Sequence, residues 1–380
     1  VELQWYWPHA HERPDPVAAW LVGHGDTVVV EALRTKAGRV LPVDAAPYRL
    51  VRDLPEIRTD LRPAPRRVLA SFATRVRWQV RRHRLARTVR PDVVHLQLLD
   101  AELDWWSLPR LRRASGAALV GVVHDVRPHV SRLPRPVEER LLRRLYSPAV
   151  LDDLLVYGQA LADELVADFG VAPDRVHVVP MPIAEPPGPA PRRPGAPFTV
   201  LLFGTFRRNK GIEDLVAAVD RAAPRADRRY VIAGTGVRDV EQLVAGLARR
   251  RDDVTAEVGL CSEERKAELF AAADVVVMPY RTFHSQSAVL RDAYAHGVPV
   301  VVTDVGALGE TVRRDGTGWV VPPADVAALS GALDTAERDP EAWRRCVERT
   351  VAAVDDLAPD RLAPRIRAVY EASSRRRSAR

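Results

Sequence analysis

From residue 27 onward the sequence alternates short apolar runs of four to seven residues with longer, helix-patterned segments. Valine-rich runs of that length read as strands buried on both faces. Such strands, alternating with helices, join as parallel β-α units under a doubly wound sheet. In the first half the pattern predicts strands at Thr27–Leu33, Asp92–Gln97, Ala117–Val123, Leu154–Tyr157 and Val176–Val179. Helices are expected at Pro65–Val89, Asp104–Ala114, Pro136–Tyr146 and Gln159–Phe169. The stretch IAEPPGPAPRRPGAP, Ile183–Pro197, then places six prolines where no sheet or helix interior tolerates them. After it the alternation restarts. FTVLLF, YVIAG, VTAEV, DVVVMPY and VPVVVT read as strands, and Gly211–Ala223, Val237–Arg249, Glu263–Ala272 and Ser285–His296 as helices.

The expectation is therefore an α/β chain of two tandem Rossmann-like doubly wound domains facing across a cleft. Residues 1–183 form the first and 198–358 the second, with 184–197 as a proline-rich linker. Helices follow at Asp325–Ala336, Pro340–Val354 and Pro359–Ala372. Residues 359–380 supply a last helix packing back on the first domain, and the tail SSRRRSAR is expected to fray into solvent. No apolar run reaches the ~18–20 residues of a membrane span, and VELQWYWPHA lacks the pattern of a secretory signal. Cys261 and Cys346 form no zinc or redox pair, so a reducing, cytoplasmic setting is the default.

Open α/β sheets bind ligands beyond the carboxyl ends of their strands. Four segments bring chemistry there. GTFRRNKG, Gly204–Gly211, follows a strand and leads into a helix, and Gly204 is expected to let the chain turn sharply. Arg207, Arg208 and Lys210 beside free helix amides suit a phosphate. The chain has only three lysines, Lys36, Lys210 and Lys266, which singles out Lys210. SQSAVLRDAYAHG has Ser285 or Ser287 as its helix cap, Gln286 between them, His284 just before and Asp292 about two turns in. Asp292 reads as a ribose acceptor or, more plainly, as a surface aspartate paired with Arg291 or His296. DVGALGE brings Glu310 to the same sheet edge. VVHDVRPHV ends a first-half strand on His124, with Asp125, Arg127 and His129 near. His124 reads as a donor to a sugar hydroxyl or phosphate, since its spacing matches no metal signature.

In order and spacing, FGTFRRNKGIEDLVAAV, VIAGTG, AELFAAADVVVMPY and LRDAYAHGVPVVVTDVGALGETVRRDGTGWVVPPAD resemble the nucleotide-sugar domain of GT-B glycosyltransferases, specifically the retaining family 4, glycosyl transferases group 1. GHGDTVVV, PDVVHLQ, VVHDVRPH and DRVHVVPMPI extend a looser similarity into the first half. The resemblance implies a nucleoside diphosphate sugar, a UDP- or GDP-sugar, held mainly by the second domain. The acceptor would be a glycan, a lipid-linked sugar or a small molecule on the first. Arg207 and Lys210 would hold the diphosphate, with no metal or other cofactor required, and Thr205 stands where the commoner branch carries an arginine. The family's paired glutamates fall at His284 and Asp292, so the chain reads H-x7-D. A catalytically degenerate nucleotide-sugar or glycan binder, or a sugar-nucleotide epimerase, is the alternative.

Arg62–Arg90 holds ten arginines, His83 and no acid, with Phe72, Val76, Val80 and Leu85 at helical spacing and Trp78 among them. A basic amphipathic helix of this kind suits the surface of an anionic membrane, here the inner one, or simply a solvated face. No nucleic-acid motif accompanies the charge.

Overall fold

The computed structural model describes residues 1–6, 15–33, 46–54, 64–97, 99–128, 133–183, 195–283 and 287–379. The chain divides into two compact units, residues 1–184 with 359–380, and residues 185–358.

The first unit runs β1 (Glu2–Tyr6), α1 (Pro16–Gly23), β2 (Thr27–Leu33), β3 (Arg49–Leu54), α2 (Ala64–Val89), β4 (Val93–Leu96), α3 (Asp104–Ser115), β5 (Ala118–Val123), α4 (Arg135–Tyr146), β6 (Asp153–Val156), α5 (Gln159–Phe169) and β7 (Val176–Val178). Its sheet has the order β3-β2-β1-β4-β5-β6-β7, every pair parallel. The second unit runs β8 (Phe198–Phe206), α6 (Ile212–Arg221), β9 (Arg228–Gly236), α7 (Arg238–Arg250), β10 (Val254–Val258), α8 (Glu263–Ala272), β11 (Val275–Met278), α9 (Ala288–Ala295), β12 (Val300–Thr303), α10 (Gly306–Asp315), β13 (Gly318–Val321), α11 (Val326–Arg338) and α12 (Pro340–Asp356). Its sheet has the order β10-β9-β8-β11-β12-β13, again all parallel. In both sheets the order reverses direction once, between β1 and β4 and between β8 and β11. Two Rossmann-like units result, as the alternation predicts. Strands β4, β5, β11 and β12 are buried along their whole length, because helices cover both faces.

Three elements of the first unit escape the apolar-run reading, as do α10 and β13 of the second. In β1 the polar Gln4 sits at 0% exposure in a central strand. Its amide nitrogen donates to the Arg82 carbonyl 3.2 Å away and approaches Glu31 at 3.5 Å, so a polar residue is held where a run-based reading asks for an apolar one. In α1, Asp15 caps the helix by accepting from Val17 and Ala18, and Pro16 starts it. The edge strand β3 carries two arginines, which an edge tolerates.

The tail also departs from expectation. Helix α13 (Pro359–Ser378) continues through SSRRRS instead of fraying, and packs on α1, β4 and β5. Asp153, fully buried on β6, is the reason. It takes hydrogen bonds from Ser373, Arg376 and His177, the last at 2.8 Å, and these hold its carboxyl below the usual range against burial. Most of the proline-rich linker, residues 184–194, lies outside the described residues.

Candidate active site

The reversal between β8 and β11 leaves a gap beyond the strand ends, and both bounding loops carry sequence-predicted residues. Strand β8 does not turn at Gly204. It continues to Phe206, with Gly204 paired to Gly234 and Thr205, exposed, to Thr235. A Cβ on Gly204 would meet Val289 Cγ2 at 3.3 Å, so this glycine allows the start of α9 to lie against the strand. The turn comes at Gly211, φ +61°, where a Cβ would lie 1.8 Å from the Pro279 carbonyl oxygen. That contact brings the loop after β8 against the loop after β11.

On this scaffold the cations sort into two groups. Arg208 pairs with Asp239, and Arg281 is held by both carboxylate oxygens of Asp214 at 2.7 and 2.9 Å. Arg207 is exposed and has no ion pair among the described residues. Lys210 likewise has none. Its Nζ lies 3.6 Å from the centroid of the Tyr280 ring and 4.7 Å from that of Phe283. Burial, and then the neighbouring Arg207 charge, push the Lys210 ammonium down to about 8. The loop is fixed from behind. The Arg281 amide donates to the Asn209 carbonyl at 2.9 Å, and the Asn209 side chain donates to the Thr282 carbonyl at 3.2 Å.

Ser287 caps α9. Its buried Oγ accepts from the Leu290 amide at 3.4 Å and lies 3.4 Å from the Tyr280 hydroxyl. His284, Ser285 and Gln286 lie outside the described residues. Asp292 turns towards α8, where Lys266 Nζ is 3.7 Å away and also pairs with Glu263 at 2.7 Å. Its expected partner His296 instead bonds the Asp292 backbone carbonyl through Nδ1, at 2.8 Å. Burial raises the Asp292 carboxyl, with Lys266 opposing. Glu310 stands exposed within α10, after a start at Gly306.

His124 belongs to the other unit, just past β5. Its Nε2 is 2.8 Å from the Gln97 carbonyl oxygen, so that nitrogen carries the hydrogen and Nδ1 is left as an acceptor. Burial lowers its proton affinity, which favours the neutral imidazole. The sequence reading expects a donor; the tautomer provides an acceptor. Gln97 is itself set by neighbours. Its side-chain oxygen faces His95 Nε2 at 2.8 Å and its amide donates to the Tyr157 hydroxyl at 2.7 Å, while Tyr370 of α13 reaches His95 Nδ1 at 2.7 Å. His129 lies outside the described residues.

Sequence reasoning misses Tyr280 and Phe283. Nothing in the spacing joins residue 210 to residues 280 and 283; the close approach at Gly211 and the bonds of Asn209 to Arg281 and Thr282 do.

Comparison with known proteins bears on the family and the fold. The model of the family described as Glycosyltransferase Family 4 matches residues 17–184, and that described as Glycosyl transferases group 1 matches residues 197–339. A glycogen synthase of Mycobacterium tuberculosis is 30% identical over 72% of this chain and 66% of its own length, just under two thirds. A 2-deoxystreptamine N-acetyl-D-glucosaminyltransferase of Streptomyces fradiae is 30% identical, over 72% of this chain and 68% of its own length. Among solved structures, a sucrose-phosphate synthase of Thermosynechococcus elongatus superposes with TM-score 0.74 at 19% identity, covering 97% of this chain and 98% of that one. HepE of Anabaena, solved with UDP-glucose, gives 0.71 at 13%, covering 98% and 99%.

Proposed function

Given that the chain belongs to the group 1 glycosyltransferases of the GT-B fold, a family of transferase enzymes, we propose that it moves a sugar from a nucleoside diphosphate sugar to an acceptor hydroxyl with retention of anomeric configuration. The observation that carries this reading is a pair of cations with no carboxylate partner among the described residues, Arg207 and Lys210, at the reversal point of the second sheet. Their neighbours Arg208 and Arg281 are already neutralised. A diphosphate is the ligand that such a pair lacks. HepE, with the same fold, is solved with UDP and UDP-glucose, which supports a nucleotide-sugar donor.

In the proposed reaction the bond between the sugar's anomeric carbon and the β-phosphate oxygen breaks, and its electron pair stays on the phosphate. Arg207, Lys210 and the free amides at the start of α9 stabilise that growing charge. The acceptor oxygen forms the new bond on the face the phosphate leaves, and its proton passes to the departing phosphate. Asp292 serves as an acceptor for a ribose hydroxyl, and His124, through Nδ1, accepts from a substrate hydroxyl. The chemistry asks no metal of these residues. The acceptor is a glycan, a lipid-linked sugar or a small molecule.

A second reading concerns the surface of α2. Leu69, Phe72 and Val80 are exposed, and Arg66, Arg77, Arg84 and Arg87 have no ion pair among the described residues. Trp78 and Arg82, by contrast, are buried, the latter against Asp104 at 2.7 Å. The helix contributes Arg75, paired with Asp100 and Glu102, and Arg82 to the fold and keeps apolar and basic residues outside, which suits an anionic lipid surface. No described helix is long and apolar enough to cross a membrane.

Incubation with UDP-, GDP-, dTDP- and ADP-sugars, followed by assay of released nucleotide, tests the main reading. Slow release from one donor without acceptor, accelerated by an acceptor, is expected. Release from none, with candidate acceptors present, would overturn it.

A further inference from the structure

A lysine that binds phosphate usually waits in water or against a carboxylate. Lys210 does neither. It is largely removed from solvent, has no ion pair among the described residues, and lies on the faces of two rings supplied by the loop after β11. An aromatic face attracts a cation through its quadrupole without neutralising it. A carboxylate partner would have to be displaced before the lysine could meet an anion, and separating that pair would subtract from binding.

We propose that Tyr280 and Phe283 are positioning residues for the transfer, an aromatic platform that holds the Lys210 ammonium unneutralised until the donor's diphosphate replaces the rings as its main electrostatic partner. This rests on the diphosphate reading given above. Three observations select the platform. Both rings are buried, and Phe283 packs edge-on against Tyr280 at 5.2 Å, so neither ring turns freely. The Tyr280 backbone carbonyl accepts from Thr303 and its hydroxyl lies against Ser287, which ties the platform to β12 and to the cap of α9. Asp214, a carboxylate beside this loop, is committed to Arg281 by two hydrogen bonds.

The consequence is a proton coupled to donor binding. Among the described residues, Arg207 on the same turn and Tyr280 opposite are the titratable groups facing Lys210. The Tyr280 hydroxyl, pushed up to about 12 by burial, stays neutral. Near pH 8 the free protein carries Lys210 partly deprotonated, and a bound diphosphate draws the proton back.

Three lysines in the whole chain make the test direct. Protein labelled with carbon-13 at lysine Cε gives three signals, and Lys210→Arg assigns one. The expected result is a Lys210 midpoint near 8 in the free protein, moved up by about one pH unit or more on saturation with UDP-glucose or GDP-mannose. Tyr280→Leu should lower the midpoint of the free protein and weaken that donor roughly tenfold at neutral pH, with Tyr280→Phe restoring both. Phe283→Leu should do the same more weakly, and provides the readout if Tyr280→Leu does not fold. A donor that binds without moving the Lys210 signal, or binds equally to the leucine variants, would overturn the platform and leave the diphosphate reading standing. Failure of both donors to bind the wild-type protein, with UDP, GDP, dTDP and ADP failing too, would overturn both.

Discussion

At the scale of single residues, the site is a matter of which charges are left over. Lys210 is disfavoured by the fold that holds it. Its folded proton affinity lies near 8, below the ordinary 10.5. The unfolded chain therefore binds more protons between those values, and stability rises as the pH climbs through them; below 8 the cost is fully present. Lys210→Met should accordingly melt no lower than wild type at pH 7 in a calorimetric scan, while losing at least about a hundredfold in donor turnover. A variant that melts much lower would mark Lys210 as structural. Gly211 makes the opposite case. Its positive φ and the Pro279 carbonyl leave no room for a side chain, so Gly211→Ala should destabilise by about 1–3 kcal/mol in urea unfolding and weaken donor binding by parting the two loops. The sequence singles out Lys210 by rarity, but it cannot show that Tyr280 and Phe283 lie beneath it. That relation exists only once β8 and β11 are neighbours.

At the scale of elements, legibility followed hydrophobicity. Strands β2, β4, β5 and β11, rich in valine, were readable to within a residue or so. Strand β1 was not, because Gln4 is buried through hydrogen bonds to partners far along the chain. The end of α13 was hidden for a related reason. SSRRRSAR looks solvated until Asp153 is known to be buried with Ser373 and Arg376 as partners. Removing residues 371–380 should therefore cost about 2 kcal/mol in urea unfolding at pH 7, where a frayed tail would cost nothing. Asp153 is held below its unfolded value, so its contribution is present above about 3.9 and is lost as the pH falls through the folded value. The difference between truncated and full-length protein should fade over that acid range. For α2, sedimentation with phosphatidylglycerol vesicles should be strong at low salt and weak with phosphatidylcholine. Leu69→Asp combined with Phe72→Asp should abolish it without changing donor turnover. Equal binding to both lipids would contradict the anionic-surface reading.

At the scale of the whole molecule, the chain builds the same sheet plan twice, with different chemistry at each reversal point. The second unit puts there cations that have no carboxylate partner among the described residues. The first puts neutral groups near its own: His124 as an acceptor, with Gln97, His95 and Tyr157 in one hydrogen-bonded set. That division was legible in outline, since GTFRRNKG and VVHDVRPH each follow an apolar run. The tautomer of His124 was not, because it depends on the Gln97 carbonyl. Neither was the turn of Asp292 towards Lys266, which needs α8 beside α9.

In the proposed function the second unit binds a nucleoside diphosphate sugar through Lys210. The most direct measurement is the thermal shift of wild-type and Lys210→Met protein with UDP-, GDP-, dTDP- and ADP-sugars. A donor at about a hundred times its dissociation constant adds about 2.7 kcal/mol, which is several degrees. That shift is expected for one donor with wild type, and its loss in Lys210→Met. No shift with any donor, or an equal shift in both proteins, would contradict it.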